Sequence, residues 1–345
     1  MKIAYWFGAL FDIAKQWRDA FTITPSKYWH LAKALESLGH TVIPVTLGEK
    51  VDPREYDCLF APCRTVLRGL PTTTLPLVLY LDGVYLNILD REPFQRAAAI
   101  FTTTPYRAEE YSDHLPGKPV LSVGYGITSE FDLSQSSPYK PGTTNVVFVG
   151  HFTPRELPLL LEVAYATPDL TLWLGGFATT GPMKKGMQGM PEPWLRKFRQ
   201  TPSVRFLSEV LDEAPQRQAK FGDNAVGPVT YGSAARHIQH ADAAIATGHG
   251  KPPRRLPHHY SLASKAYFYW MHGTPIITEH CGIQSLHTYD WNGTVYDGSA
   301  VDAQAKLRVL LSRQYDHARI HRWAQKSFSW EAVAARITDH LEALL

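Results

Sequence analysis

The chain is most tightly constrained by a rhythm: short apolar segments alternate with helix-length stretches, and the alternation starts twice. In the first run, residues 2–6, 41–45, 56–61, 77–81, 97–103 and 119–123 read as strands. Residues 25–38 read as a helix, with Trp29, Leu31, Ala32, Ala34, Leu35 and Leu38 at helical spacing and Gly39 behind it as a cap. Residues 128–145, rich in Ser, Thr, Pro and Gly, read as a linker. The pattern restarts with strands at 146–150, 170–174, 203–207, 225–229 and 243–247, helices at 156–164 and 234–239, and a closing helix at 330–344. Mostly parallel sheets with helices on both faces satisfy such alternation, so two doubly wound α/β domains are expected. In these sheets ligands sit beyond the carboxyl ends of strands, which directs attention to the residues that follow each strand.

The bulk numbers narrow the partners. With 345 residues, 44% hydrophobic and 19% charged, the chain is long and apolar enough for two packed domains and is not a disordered one. No apolar run approaches the roughly 20 residues that a membrane helix needs. The opening MKIAYWFGAL is interrupted by Asp12 and Lys15 and reads as a strand and its loop, not as a leader. Three cysteines, Cys58, Cys63 and Cys281, lack the partners of a zinc site and fit a reducing cytosol, so a cytoplasmic protein is expected. The net charge of +3 does not by itself imply nucleic acid. Its distribution says more. Lys184, Lys185, Arg196, Lys197 and Arg199 are opposed only by Glu192, and Lys251, Arg254 and Arg255 precede His258 and His259. Each cluster is either a solvated face or part of an anion-binding surface.

Residues 260–279, YSLASKAYFYWMHGTPIITE, are the densest stretch. Residues 266–272 are apolar or aromatic at nearly every position, as in a helix buried on most sides, and Gly273 ends it before the short strand Ile276-Ile277-Thr278. Ahead of the helix stand Ser261, Ala263, Ser264 and Lys265. A helix start with free N–H groups, a hydroxyl cap and a lysine is suited to a phosphate; the same residues also describe a capped core helix with a surface lysine.

In their order, these segments resemble the GT-B glycosyltransferases over nearly the whole length. "AIFTTTPYRAEEYSDHLPGKPVLSVGYGIT" resembles that family's strand, helix and strand before the linker, and "NVVFVGHFTPRELPLLLEVA" its donor-domain opening. "HIQHADAAIATG" is similar to the strand before the donor loop, "SLASKAYFYWMHGTPIIT" to the donor-binding helix, and "FSWEAVAARITDHLEAL" to the C-terminal helix. Within the superfamily the chain is most similar to the phage DNA β-glucosyltransferases, which add a sugar to 5-hydroxymethylcytosine in duplex DNA. That similarity rests on "KYWHLAKALESLGHTVIPVTL", "EYDCLFAPCRTVLRG", "LVLYLDGVY" and "FVGHFTPRE".

The resemblance implies a GT-B fold, with two Rossmann-like doubly wound domains facing a central cleft. Residues 1–128 would bind the acceptor, 129–145 would be the linker, 146–328 would bind the nucleotide sugar, and 329–345 would form a helix crossing back to the first domain. It implies an inverting transferase with Asp82 as general base, although Asp82-Gly83 alone reads equally as a solvated turn. Donor binding would fall to Gly150, His151, Arg155, Tyr231, Ser261, Ser264 and Lys265. Of these, Arg155 could instead pair with Glu156 or Glu162 on the surface, and Tyr231 could simply be packed. Acceptor or DNA contacts would come from Trp17, Arg18, Arg64, Leu67, Arg68, Lys184, Lys185, Arg254 and Arg255, with Trp6 nearby. The donor would be a UDP-sugar such as UDP-glucose. No tightly bound cofactor is expected, no metal is required, and a monomer is expected. One departure stands out: Phe268 occupies the position where the family usually has a ribose-holding glutamate. The other enzymatic reading is a GT-B transferase acting on a saccharide, lipid or small molecule. A third is a binding protein that kept the fold without catalysis.

Overall fold

The computed structural model describes residues 1–6, 26–46, 48–62, 70–81, 89, 91–129, 131–132, 134–154, 156–179, 187–211, 226–247, 264–280 and 283–344. The chain divides into two compact units, the first made of residues 1–17, 23–128 and 326–345 and the second of residues 18–22 and 129–325.

In the first unit the elements run β1 (Lys2–Trp6), α1 (Ser26–Ser37), β2 (Thr41–Val45), β3 (Cys58–Ala61), β4 (Leu77–Leu81), α2 (Glu92–Arg96), β5 (Ala99–Thr102), α3 (Pro105–His114) and β6 (Val120–Ser122). The six strands form one parallel sheet in the order β2-β1-β3-β4-β5-β6. Their near-continuous hydrophobicity follows from burial on both faces. Alternate residues go to opposite sides: Ile3, Tyr5, Cys58, Phe60, Val78 and Tyr80 line one core. Ala4, Trp6, Leu59, Ala61, Leu77 and Leu79 line the other. Trp6 is thus a core residue, only 1% exposed, and not a stacking surface for an acceptor. Cys58 is equally enclosed, and burial, with Asp57 nearby, pushes its thiol up to about 12, which makes it inert.

The second unit contains β7 (Asn145–His151), α4 (Glu156–Ala166), β8 (Thr171–Thr179), β9 (Met187–Gln188), α5 (Glu192–Arg199), β10 (Val204–Phe206), α6 (Leu207–Val210), α7 (Tyr231–Gln239), β11 (Ala243–Ala246), α8 (Ser264–Met271), β12 (Ile276–Glu279), α9 (Ile283–Leu286), β13 (Gly293–Tyr296), α10 (Ala300–Leu311) and the start of α11 (His317–Phe328). Its parallel path is β10-β8-β7-β11-β12-β13, with β9 antiparallel against β8. The sequence expectation names none of β9, α5, β13, α10 and α11, and it names one strand that is not formed. Of the expected strand 225–229, the described residues 226–229 are not a strand, because Gly227 has φ +111° and bonds sideways. Its N–H donates to Ser208 Oγ, and its carbonyl accepts from Gly176 N–H. At one edge of the sheet stands β13, four residues beginning in glycine, too short for its alternation to stand out.

The stretch 129–145 is packed onto the second unit. Ser129 Oγ donates to the Met271 carbonyl, Asp132 N–H donates to Gln239 Oε1, and buried Tyr139 donates its hydroxyl to the His237 carbonyl. At the far end, α11 leads into α12 (Trp330–Leu344), which belongs to the first unit. There Trp330, Val333, Ala334, Ile337 and Leu341 fill the core face that α1 also covers. A β-carbon at Gly126 would lie 2.3 Å from the Trp330 ring, so the indole is seated directly on backbone. Among the described residues no helix is long and apolar enough to cross a membrane.

Because Trp330 is 3% exposed and shared between sheet and helix, Trp330→Ala is expected to destabilise the protein by about 3–5 kcal/mol. Urea denaturation measures this; a loss below about 1 kcal/mol would mean that α12 is not part of that core.

Candidate functional site

In the second unit β7 pairs with β8 on one side and with β11 on the other. The chain leaves β7 through α4 toward β8 and leaves β11 toward β12, so the connections diverge at the β7–β11 boundary. This is the topological switch point of the sheet, where diverging loops open a crevice beyond the strand ends. Three segments meet there: the end of β7 with Gly150 and His151, the residue after β11, Thr247, and the start of α8 with Ser264 and Lys265.

The crevice is organised by a buried ion pair. Lys265 Nζ donates to Glu156 Oε1 at 2.8 Å and to Thr247 Oγ1 at 2.6 Å, and the Thr247 hydroxyl donates to the same Glu156 oxygen at 2.5 Å. Both charged side chains are enclosed, with side-chain exposures of 5% and 1%. The ammonium also lies 4.5 Å from the centre of the Phe148 ring. Glu156 is fixed from its other side by a capping box over Thr153-Pro154-Arg155-Glu156. Its Oε2 accepts the Thr153 N–H at 3.0 Å, while Thr153 Oγ1 accepts the Glu156 N–H at 3.4 Å. Burial pushes the Glu156 carboxyl up, but the Lys265 charge and bonds from Lys265, Thr153 and Thr247 outweigh it and hold the group down at about 2. Burial pulls Lys265 down, and Glu156 opposes that pull.

Around it, Tyr269 is pinned to β7, donating to the Val149 carbonyl and accepting the Val149 N–H at 2.8 Å. His151 packs its ring 4.2 Å from that of Phe177; burial and then the Lys265 charge lower its pKa, so it is neutral at pH 7. The glycines here divide differently from the expectation. At Gly150 an added β-carbon would make ordinary 3.5 Å contacts with Lys265. At Gly176, with φ +143°, it would stand 1.7 Å from the Gly150 carbonyl oxygen. The close backbone approach therefore belongs to Gly176.

The structure brings Gly150, His151, Ser264 and Lys265 together at one sheet edge. Lys265 is a buried residue, which overturns its reading as a surface lysine, and Glu156 is buried with it, which overturns its reading as a surface partner for Arg155. Tyr231 begins α7 and packs on Phe268, ring centroids 4.4 Å apart, with His272 at 4.6 Å on the edge of Phe268. Phe268 thus fills its position with aromatic packing. Lys197 lies over Trp194 and Arg199 pairs with Glu209, so these members of the first basic cluster form a solvated helix face. Asp82, Arg155, Ser261, Trp17, Arg18, Arg64, Leu67, Arg68, Lys184, Lys185, Arg254 and Arg255 lie outside the described residues. Among the described residues no group of three or more His, Cys, Asp or Glu side chains is placed to hold a metal ion. Sequence reasoning missed Glu156, Thr247 and Gly176. The signal for Glu156 was present in the Thr-x-x-Glu spacing ahead of an apolar helix.

The solved structures that this chain is similar to include glycosyltransferases. AviGT4, involved in avilamycin A biosynthesis, is 15% identical with a TM-score of 0.60, covering 100% of this chain and 98% of its own. A sucrose-phosphate synthase from Thermosynechococcus elongatus is 14% identical with a TM-score of 0.63, covering 100% and 99%. The Anabaena protein HepE, solved with UDP and glucose, is 15% identical with a TM-score of 0.55, covering 99% and 100%. No protein-family model and no curated protein matches the sequence. At these identities the likeness defines the fold: two Rossmann-like α/β sheets in one chain, of the GT-B kind.

The ionisable groups predict a two-stage loss of stability in acid. His237 and His272 are held neutral by burial, with pKa values lowered from 6.5 to about 4, so the unfolded chain takes up their protons first. Stability is therefore expected to fall as pH drops from 6.5 to about 4. Glu156, depressed from 4.5 to about 2, contributes stability above 4.5 that is lost between those values. Thermal melts across this range measure both stages, and His272→Leu should flatten the upper one.

Proposed function

We propose that this chain transfers a sugar, with inversion, from a nucleotide-sugar donor of the UDP-glucose type to a hydroxyl acceptor. The observation that carries the reading is the buried Lys265, paired with Glu156 at the switch point of the second sheet, beside Gly150 and in the first turn of α8. A diphosphate needs a cation and backbone donors in a place shielded from water, roles we give to Lys265 and to the start of α8. The shared fold and the UDP and glucose bound by HepE support the same donor class.

In the reaction, the acceptor oxygen attacks the anomeric carbon as the bond from that carbon to the diphosphate oxygen breaks. The acceptor proton passes to a carboxylate, a role we give to Asp82, which directly follows β4 in the chain. The electron pair leaves with the nucleoside diphosphate, whose charge Lys265 and Arg155 offset. Ser261, Ser264 and the start of α8 would supply donors to the same group, and Tyr231 with Phe268 would border the nucleoside.

For the acceptor we propose the hydroxymethyl group of a modified pyrimidine in duplex DNA. Trp17 and Arg18 follow β1, and Arg64, Leu67 and Arg68 follow β3, the two strands that flank the switch point of the first sheet. A cation-flanked apolar residue there has the chemistry to replace an extruded base, and Lys184, Lys185, Arg254 and Arg255 add charge for backbone phosphates.

The test incubates the protein with several UDP-sugars and hydroxymethylated or unmodified duplex DNA, followed by mass spectrometry of the digested nucleosides. A hexose or pentose mass on the hydroxymethylated nucleoside alone is expected, with steep loss of activity as salt rises. Transfer to a saccharide but to no DNA would replace the acceptor; no UDP release with any acceptor would remove the enzymatic reading. Asp82→Asn is expected to lower transfer by about 10²–10⁴-fold while leaving donor binding intact, as measured by initial rates and calorimetry.

A further inference from the structure

The capping box at the start of α4 is satisfied as well by glutamine as by glutamate, because either side chain can accept the Thr153 N–H. The Thr247 hydroxyl bond makes no demand for charge either. What distinguishes a carboxylate from an amide at position 156 is Lys265. A lysine this enclosed loses its proton unless an opposite charge stands beside it, since an isolated ammonium is among the costliest groups to take out of water. Among the described residues the groups facing its Nζ are few. Glu156 comes from α4, His151 from β7, Tyr269 from its own helix α8, and β11 is followed by the uncharged Thr247. Glu156 is the anionic member of this set.

We infer that Glu156 is a positioning residue for anion binding: its buried carboxylate is the built-in counter-ion that keeps the Lys265 ammonium charged and aimed at the β7–β11 crevice before any ligand arrives. Among the described residues, Glu156 and Thr247 take two of the three ammonium protons, which leaves one N–H for an incoming oxygen anion. The capping box holds the carboxylate in place while it does this, so one side chain both starts α4 and sets the charge of a residue 109 positions away. The ligand half of this inference rests on reading the crevice as the diphosphate site; the counter-ion half does not.

The test follows the Lys265 Cε resonance in protein labelled with 13C-lysine, assigned by its absence in Lys265→Arg. From wild type to Glu156→Gln the Lys265 inflection is expected to fall by at least about 2 pH units. Thr247→Val, which removes a bond and no charge, should titrate like the wild type. An unchanged inflection in Glu156→Gln, or an equal fall in Thr247→Val, would overturn the inference. If Glu156→Gln does not fold, Lys265→Met tests the pair from the other side. Its Glu156 carboxyl, freed from the cation but still buried, should titrate above the ordinary 4.5, and retention of the low value would overturn the inference.

Calorimetry with UDP separates this from the donor reading. Wild-type affinity should be flat from about pH 6 to 8.5, whereas in Glu156→Gln it should weaken up to about tenfold per pH unit above the new inflection, because binding then requires proton uptake. Expected Lys265 titrations in a protein that binds no UDP would leave the counter-ion role standing and remove the donor assignment.

Discussion

A parallel sheet is covered by helices on both faces, so its strands have no room for ligand-touching side chains along their length. Chemistry is pushed to the edge where strands end, and within that edge to the point where connections diverge. Both units follow this constraint. In the second, the divergence between β7 and β11 collects Gly150, Thr247, Glu156 and Lys265 from four separate segments of chain. In the first, β1 and β3 flank the equivalent point, and in the sequence β1 is followed by Trp17 and Arg18 and β3 by Arg64 and Arg68.

Much of the architecture was legible because the strands carry a two-sided burden. Residues such as Leu77-Val78-Leu79-Tyr80-Leu81 are apolar without interruption, a pattern that an exposed strand would not tolerate and a long helix would not confine to five residues. The aromatic run of α8 was legible for the same reason, since every position from Lys265 to Met271 is buried. Where the reading failed, it failed on tertiary context. Residues 226–229 have strand-like composition, but Gly227 turns to bond Ser208 and Gly176. β13 is short enough that its identity depends on having β12 beside it.

The site was legible in part, and the boundary is instructive. Lys265 could be singled out from a helix start next to a glycine turn. Its burial could not, because a lysine at a helix N-terminus is ordinarily solvated and only the partner makes enclosure tolerable. That partner, Glu156, looked from its neighbours like half of a surface pair. Only the fold reveals that α4 and α8 begin on the same edge of one sheet. The requirement for glycine at position 176 was hidden similarly, since it depends on the carbonyl of Gly150 in the adjacent strand.

The placement of α12 has a consequence for how the protein is made. The face formed by Tyr5, Phe60, Tyr80 and Phe101 is closed by α12, while everything from Ser129 to Gln325 emerges from the ribosome before that helix. The second unit can therefore complete its core while the first still lacks a wall. During synthesis the first unit is the late one, and its aromatic face waits until residues 330–344 have been made.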